Sequence, residues 1–313
     1  MSDLVSIGES TALFTLPHIG RMRDARTLDV SIAGAESNVS IGFSRLGRSS
    51  SWIGRVGNDE FGEMIVKTLR SEGVDVSGVR RDDSLQTALM FKERRADNVV
   101  QVTYYRRGYA GSALVAGDID TDAVESARIL HVTGITLALS ENARAAVAHA
   151  IEVARSAGVL VSLDFNFRSR LWSREEATEV IGPLARKADI IFAGDDELFV
   201  LGDRGLDDAK MLADGGLREV VVKQGSRGAT SFSEEGMLVE PAVAVRAVDP
   251  VGAGDAFVAG YLVAKLDGLN PAGRLRTGCA TGAFAASNFG DWECLPRRDD
   301  VELMFRESGT TLR

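Results

Sequence analysis

Short runs of consecutive apolar residues alternate along most of the chain with stretches in which apolar positions recur every three or four residues. That rhythm predicts parallel strands joined by crossover helices, an α/β body. The clearest unit runs from Ser140 to Asp164. Ser140 is placed to cap a helix whose Val147, Ile151 and Ala154 share a face, Gly158 follows its end, and VLVSLD continues as a strand. Similar units run from Asn38 to Gly47 into SWIGRV, from Phe61 to Gly73, and from Glu175 through Lys187 into DIIFA, while EVVVKQG ends in a glycine turn at Gly225.

Two stretches break the rhythm, residues 11 to 33 and 85 to 107. In the second, TALMFKERR and VVQVTYYRR flank ADN as the arms of a hairpin. Both stretches are expected to form a small sheet that covers one end of the body as a lid. With no repeat, low-complexity tract or linker in the chain, that lid is formed by segments inserted in the sequence of a single unit, residues 1 to 313, so that body and lid are each discontinuous along the chain.

Composition narrows the chemistry. The 313 residues are 45% hydrophobic, enough for a large core, and roughly 150 residues per domain permits one large domain or two smaller ones. A formal charge of -9 opposes nonspecific adhesion to nucleic acid or anionic membranes, so an anionic ligand needs locally concentrated arginine or lysine. Cys279 and Cys294 make no CxxC pair and His18, His131 and His149 no ligand-spaced cluster, which argues against structural zinc or a disulfide framework. No apolar run approaches the roughly 20 residues of a membrane span, and a cytoplasmic location is expected.

The richest segment is AVDPVGAGDAFVAGYLVAKLDG. It begins strand-like, passes a glycine turn, and then shows helical spacing through Phe257, Tyr261 and Leu262. Gly252, Ala253 and Gly254 therefore sit at a helix N-terminus, where unpaired N–H groups and the helix dipole favour an anion and small residues let phosphate oxygens approach. Asp255 follows at once and could take the proton of an attacking hydroxyl while the amides absorb phosphoryl charge. The plainer alternative is a first-turn carboxylate that only stabilises the helix. A dinucleotide fingerprint fails because Phe257 occupies its third glycine position, and a Walker A loop fails because no GK[ST] follows.

At these residues the chain resembles the ribokinase-like, or PfkB, family of carbohydrate kinases, whose C-terminal signature is similar to Asp249 to Phe257 read without a gap. A second hallmark of that family resembles AGAESNVSIGFSRLG, Ala33 to Gly47, followed by IGRVGNDEFGEMI. The likeness extends over nearly the whole chain. It is closest to 2-keto-3-deoxygluconate kinases through GES, AGAESN, YYRRGYAGSAL, HVTGITLALS, LDFNFRSRLWS and DPVGAGDAF. It implies a three-layer α/β/α domain with a mostly parallel sheet and a small β-sheet lid, ATP and Mg2+ as cofactors, and a homodimer formed through the lid or a higher homo-oligomer. It also admits a monovalent cation.

The resemblance assigns further residues, each with a plainer alternative. The two-residue period of a strand puts Tyr104 and Arg106 on one face, and the resemblance makes them substrate contacts; an exposed strand whose arginines add solubility is the alternative. Asn166 and Arg168 lie just past the strand ending at Asp164, where open α/β sheets gather ligands; Arg168 could grip a carboxylate or pair with Asp164. Lys223, Gly225, Arg227 and Gly228 look like the nucleotide-binding segment, or a simple hairpin turn. Gly34 and Asn38 match sugar-contacting positions, although Asn38 could cap the following helix. Asp291 resembles a late acidic substrate contact, and Glu197 the glutamate of an NxxE motif that influences magnesium, with Gly194 where the asparagine should be. Met90 replaces an aromatic contact of the deoxygluconate kinases and cannot donate a hydroxyl hydrogen bond.

The expected activity is ATP-dependent phosphorylation of a sugar acid, with the acid held by Arg106 and Arg168. A fructokinase-like enzyme acting on neutral sugars is the first alternative, and a noncatalytic sugar sensor an alternative of another class.

Overall fold

The computed structural model describes residues 1–96, 99–216 and 219–305. In chain order its strands are β1 Leu4–Ile7, β2 Thr11–Thr15, β3 Asp29–Ala33, β4 Ser50–Ile53, β5 Arg55–Gly57, β6 Val74–Asp75, β7 Arg80–Asp82, β8 Leu89–Ala96, β9 Val99–Tyr105, β10 Ile129–Thr133, β11 Leu160–Asp164, β12 Ile190–Gly194, β13 Glu219–Lys223, β14 Ala229–Ser233 and β15 Gly236–Glu240. The central sheet runs β15-β14-β13-β12-β11-β10-β1-β4-β6, parallel from β6 across to β13 and antiparallel at β14 and β15.

Its parallel strands read as unbroken apolar runs because both faces are covered. Val5, Leu130, Val161 and Leu163 pack into one layer with the helix Glu141–Ser156. Leu4, Ile129, Phe192 and Val221 point the other way, against residues of the helices Ala35–Arg45, Ala253–Leu266 and Pro271–Ala286. The result is three layers, α/β/α.

The Ser140 unit folds as its pattern indicates. The Ser140 hydroxyl accepts the Ala143 N–H at 3.1 Å, Val147, Ile151 and Ala154 are buried, Gly158 turns the chain with φ +74°, and β11 follows. Two local expectations are corrected. The helix expected from Asn38 starts a turn earlier, at Ala35, so Asn38 lies inside it and caps nothing. The segment before Asp249 is not a strand. Pro241, which has no N–H to donate, ends the ladder of β15, and Val248 and Asp249 donate instead to the Ala286 carbonyl at the end of the helix Pro271–Ala286.

The two irregular stretches do build a separate four-stranded sheet, ordered β3-β2-β8-β9, with β2 and β8 parallel and the other neighbours antiparallel. Of the predicted ADN turn, Asp97 and Asn98 lie outside the described residues. Among the described residues no helix is long and apolar enough to cross a membrane.

Candidate active site

The turn into the helix Ala253–Leu266 places three small residues where the sequence puts them. Gly252 has φ +77°, and a Cβ on it would lie 2.3 Å from the Asp291 carbonyl oxygen, so the position demands glycine. Gly254 differs: the nearest atom to an added Cβ is the Lys223 Nζ at 3.7 Å, and the space in front of it is open. The first amides of this helix have no intrahelical partners, and that of Ala253 donates back to the Pro250 carbonyl at 3.3 Å.

Asp255 stands in the first helical turn beside a second carboxylate, Asp291. Asn38, from the helix Ala35–Arg45, serves both: its Nδ2 donates to Asp255 Oδ2 at 2.8 Å and to Asp291 Oδ1 at 2.6 Å. Burial pushes the Asp255 carboxyl up to about 8, with the Asn38 bond and the Lys223 charge opposing and the Asp291 and Asp164 charges adding to it. Asp291 is raised as well, chiefly by burial, against the Asn38 bond and the nearby Lys92 charge.

Two cavities meet at this turn. The first, about 370 Å³, is lined by Gly34, Asn38, Tyr104, Arg106, Asn166, Arg168, Glu197, Lys223, Gly252, Gly254, Asp255 and Asp291, together with Glu9 and Met90. The second, about 520 Å³, is mostly apolar, with Val243, Val245, Phe257 and Ala283 among its walls and Gly225 and Gly228 at its side. Lys223, Pro250 and Gly254 belong to both. Ala253 lines only the second.

Charged neighbours sort the predicted cations. Arg106 is buried and already paired: its Nε donates to Glu9 Oε2 at 2.7 Å, and its guanidinium lies 4.7 Å over the Tyr104 ring. Arg168 is exposed at the cavity wall and donates to the Phe167 carbonyl at 3.2 Å. It does not pair with Asp164, which instead takes Lys223 at 2.6 Å. Burial works against the Lys223 ammonium, but the Asp164 and Glu197 charges outweigh it and raise its pKa.

Glu197 braces the loops at the carboxyl ends of β11 and β12, accepting the Phe167 N–H and the Gly194 N–H at 2.7 Å each. Between them Asn166 takes φ +39°, a left-handed conformation that asparagine tolerates better than most residues. Gly225, Arg227 and Gly228 form the hairpin joining β13 to β14, so the turn and the cavity wall are one structure. Arg227 is not brought into either cavity; it lies on the surface against Asp195.

Sequence reasoning passed over Glu9 and Lys92, and it gave Asp249 no role beyond the motif. It also missed the apolar wall built from residues 242 to 245 and Ala247, whose only signal is a run of small apolar residues after Pro241.

A three-layer body with a smaller sheet at one end, and two joined cavities over a glycine turn, is the architecture of a sugar kinase of the ribokinase-like fold. The chain belongs to the pfkB family of carbohydrate kinases, whose pattern, described as "pfkB family carbohydrate kinase", matches residues 1–298. It is 39% identical over 308 residues to the 2-dehydro-3-deoxygluconokinase of Bacillus subtilis (strain 168), covering 96% of this chain and 94% of that protein. It is 34% identical to probable fructokinase-5 of Arabidopsis thaliana, with 96% and 92% covered. An uncharacterized sugar kinase from Pyrococcus horikoshii, solved in complex with ATP, superposes with a TM-score of 0.82 at 28% identity, covering 96% of this chain and 100% of that one.

Proposed function

We propose that this carbohydrate kinase transfers the terminal phosphoryl group of ATP to a hydroxyl of a sugar acid, converting 2-keto-3-deoxygluconate to 2-keto-3-deoxy-6-phosphogluconate. The observation that carries the reading is the junction of a polar and an apolar cavity at Gly254, with the Asp255 carboxyl beside it. The apolar cavity suits a purine, and the polar one a polyhydroxylated acid. Asp255 takes the proton of the attacking hydroxyl as its oxygen bonds to phosphorus and the bond to the departing diphosphate breaks. The helix amides at Gly252 to Gly254 and the Lys223 ammonium stabilise charge on the phosphoryl oxygens.

The residues also fit a magnesium ion carried in by the nucleotide. Asp164 Oδ1 is buried without a hydrogen-bond partner, and the Asp164 charge helps to raise Glu197, so two carboxylates stand close together behind Lys223. Asp164 would hold the ion through its free Oδ1, with Glu197 acting on it indirectly because both of its oxygens take backbone N–H groups; when bound, the ion supplies charge neutralisation on the phosphates.

Arg168 favours the acid over a neutral sugar. With Arg106 committed to Glu9, Arg168 is the guanidinium at this wall left to meet a substrate carboxylate in bidentate fashion. A coupled ATP-consumption assay over sugar acids and neutral sugars tests the reading. Ketodeoxygluconate should be preferred to fructose, and Arg168→Ala should remove most of that preference. Equal use of both by the intact enzyme would favour a fructokinase-like activity, the kind its Arabidopsis relative is named for. No ATP consumption with any sugar would leave a sensor. Pairing of two copies through the exposed face of the smaller sheet, acting as a lid, completes the proposal.

A further inference from the structure

The turn that receives the phosphoryl group is tied to the smaller sheet by a buried ion pair. Asp249, 5% exposed, heads the segment leading into Gly252. Its Oδ1 accepts the Val251 N–H at 3.2 Å, and its Oδ2 accepts the Lys92 Nζ at 2.6 Å. Lys92 is itself 8% exposed and lies on β8. Two residues along the same face, Arg94 donates to the Val248 carbonyl, and two residues back Met90 lines the polar cavity. One strand face thus touches the sugar cavity, the carboxylate that orients the turn, and the backbone entering it.

An ammonium here answers a local electrostatic need. Asp249 and Asp291 feel each other, as do Asp291 and Asp255, and the Lys92 charge works against the rise that burial imposes on Asp291. A buried carboxylate without a partner would protonate, shift, or recruit a cation from solution. A monovalent cation beside this turn, which the family resemblance admits, would find one Asp249 oxygen on an amide and the other on Lys92. The residues present therefore do not fit a bound cation at Asp249.

We infer that the Lys92 ammonium stands where a monovalent cation would otherwise be needed, holding the Pro250 to Gly254 turn in register with the smaller sheet, so that turnover requires no added cation of that kind. Lys92 is a positioning residue, acting through Asp249 and Val251. The inference rests on reading the turn and Asp255 as the phosphoryl-transfer site.

The test is the turnover of the full-length protein in chloride salts of tetramethylammonium, potassium and ammonium at one ionic strength, with magnesium constant. Wild type should be insensitive to the choice. Lys92→Met should lose about 100-fold in kcat in tetramethylammonium, the scale of a misplacement of about 1 Å, with KM little changed. Ammonium or potassium, small enough to fill the vacated space beside Asp249, should restore about tenfold of that loss, one decade of rate. A wild type that needs potassium overturns the inference. So does Lys92→Met at wild-type turnover, or a loss that no cation relieves, since the latter marks a strut of the fold alone. Should Lys92→Met fail to fold, the double variant Lys92→Met/Asp249→Asn leaves no bare carboxylate; low turnover deaf to cations is expected, and wild-type turnover overturns the idea. Asp255→Asn in the same assay separates the premise: if it keeps wild-type turnover, the site reading itself fails, and the inference with it.

Discussion

As the proposed base, Asp255 carries two opposed requirements, since a base must be ionised to work while burial raises its carboxyl to about 8. In the free enzyme kcat/KM should therefore rise with pH and level off above about 8, and Asp255→Asn should lower turnover by at least about 100-fold and lose that limb. The same shift has a sign for stability. Between the ordinary carboxyl value of 3.8 and about 8, the folded chain keeps a proton that the unfolded chain has released, so raising the pH through this window weakens the fold. Asp255→Asn does not titrate there, and its melting temperature should gain on wild type as pH rises from 4 to 8; a gap that does not change with pH would deny the buried carboxyl its strain. Asp255 was legible in the sequence because a helix N-terminus, a glycine turn and an acid stand together in nine residues, Asp249 to Phe257. The partners that tune the site were not. Arg106 meets Glu9 across 97 positions and Lys92 meets Asp249 across 157, and no local pattern announces which distant charge a buried carboxylate will find.

At the scale of the element, the two glycines of the turn have different tasks. Gly252 is required by backbone: φ is +77° and the Asp291 carbonyl lies where a Cβ would go. Gly252→Ala should destabilise the fold by about 1–3 kcal/mol, the range for a residue forced into left-handed backbone, and more if the carbonyl cannot yield. On the proposed reading, Gly254 serves the ligand. Its added Cβ makes an ordinary 3.7 Å contact with Lys223 but projects where both cavities meet, so Gly254→Ala should melt like wild type while raising the KM for the phosphoryl donor. Thermal melts and donor titrations of the two variants separate the roles; a Gly254→Ala with unchanged donor KM would mean that no phosphate passes there. Periodicity found the helices that flank this turn because their buried faces repeat every third or fourth residue. It misplaced the start of the Asn38 helix, whose first turn, Ala35 to Asn38, is buried throughout and so shows no face. It also read residues before Asp249 as strand, although the alternation of valine and alanine there faces an apolar cavity rather than a neighbouring strand.

For the whole molecule, the open question is what covers the outer side of the smaller sheet. Its inner side, with Leu13, Ala33 and Met90, is packed. The opposite side carries Phe14 stacked on Phe91 at 4.9 Å, Tyr105 edge-on to Phe91 at 5.7 Å, and Phe61 edge-on to Phe14 from the helix Glu60–Ser71. That helix covers one end only. Tyr105 and Val30 keep about half of their surface in water, at 52% and 49%, and among the described residues β3 and β9 have no further strand beside them, although Arg170 donates to the Val102 carbonyl of β9. Aromatic surface beside such strand edges is costly for a lone sheet, and a second copy apposed through the same face would cover both sheets at once by two-fold symmetry. Sedimentation of the wild type should report a dimer. Tyr105→Lys with Val30→Lys, which places charge on that face without touching either cavity, should report a monomer with its fold intact. Because β8 and β9 of the same sheet carry Met90, Lys92 and Tyr104 on their inner side, with Arg106 just past the end of β9, the monomeric variant should also bind the sugar more weakly than it binds the nucleotide, whose proposed cavity the sheet does not line. A wild type that sediments as a monomer would remove the pairing, and a monomeric variant with unaltered sugar affinity would show that the sheet holds its site without help from a neighbour.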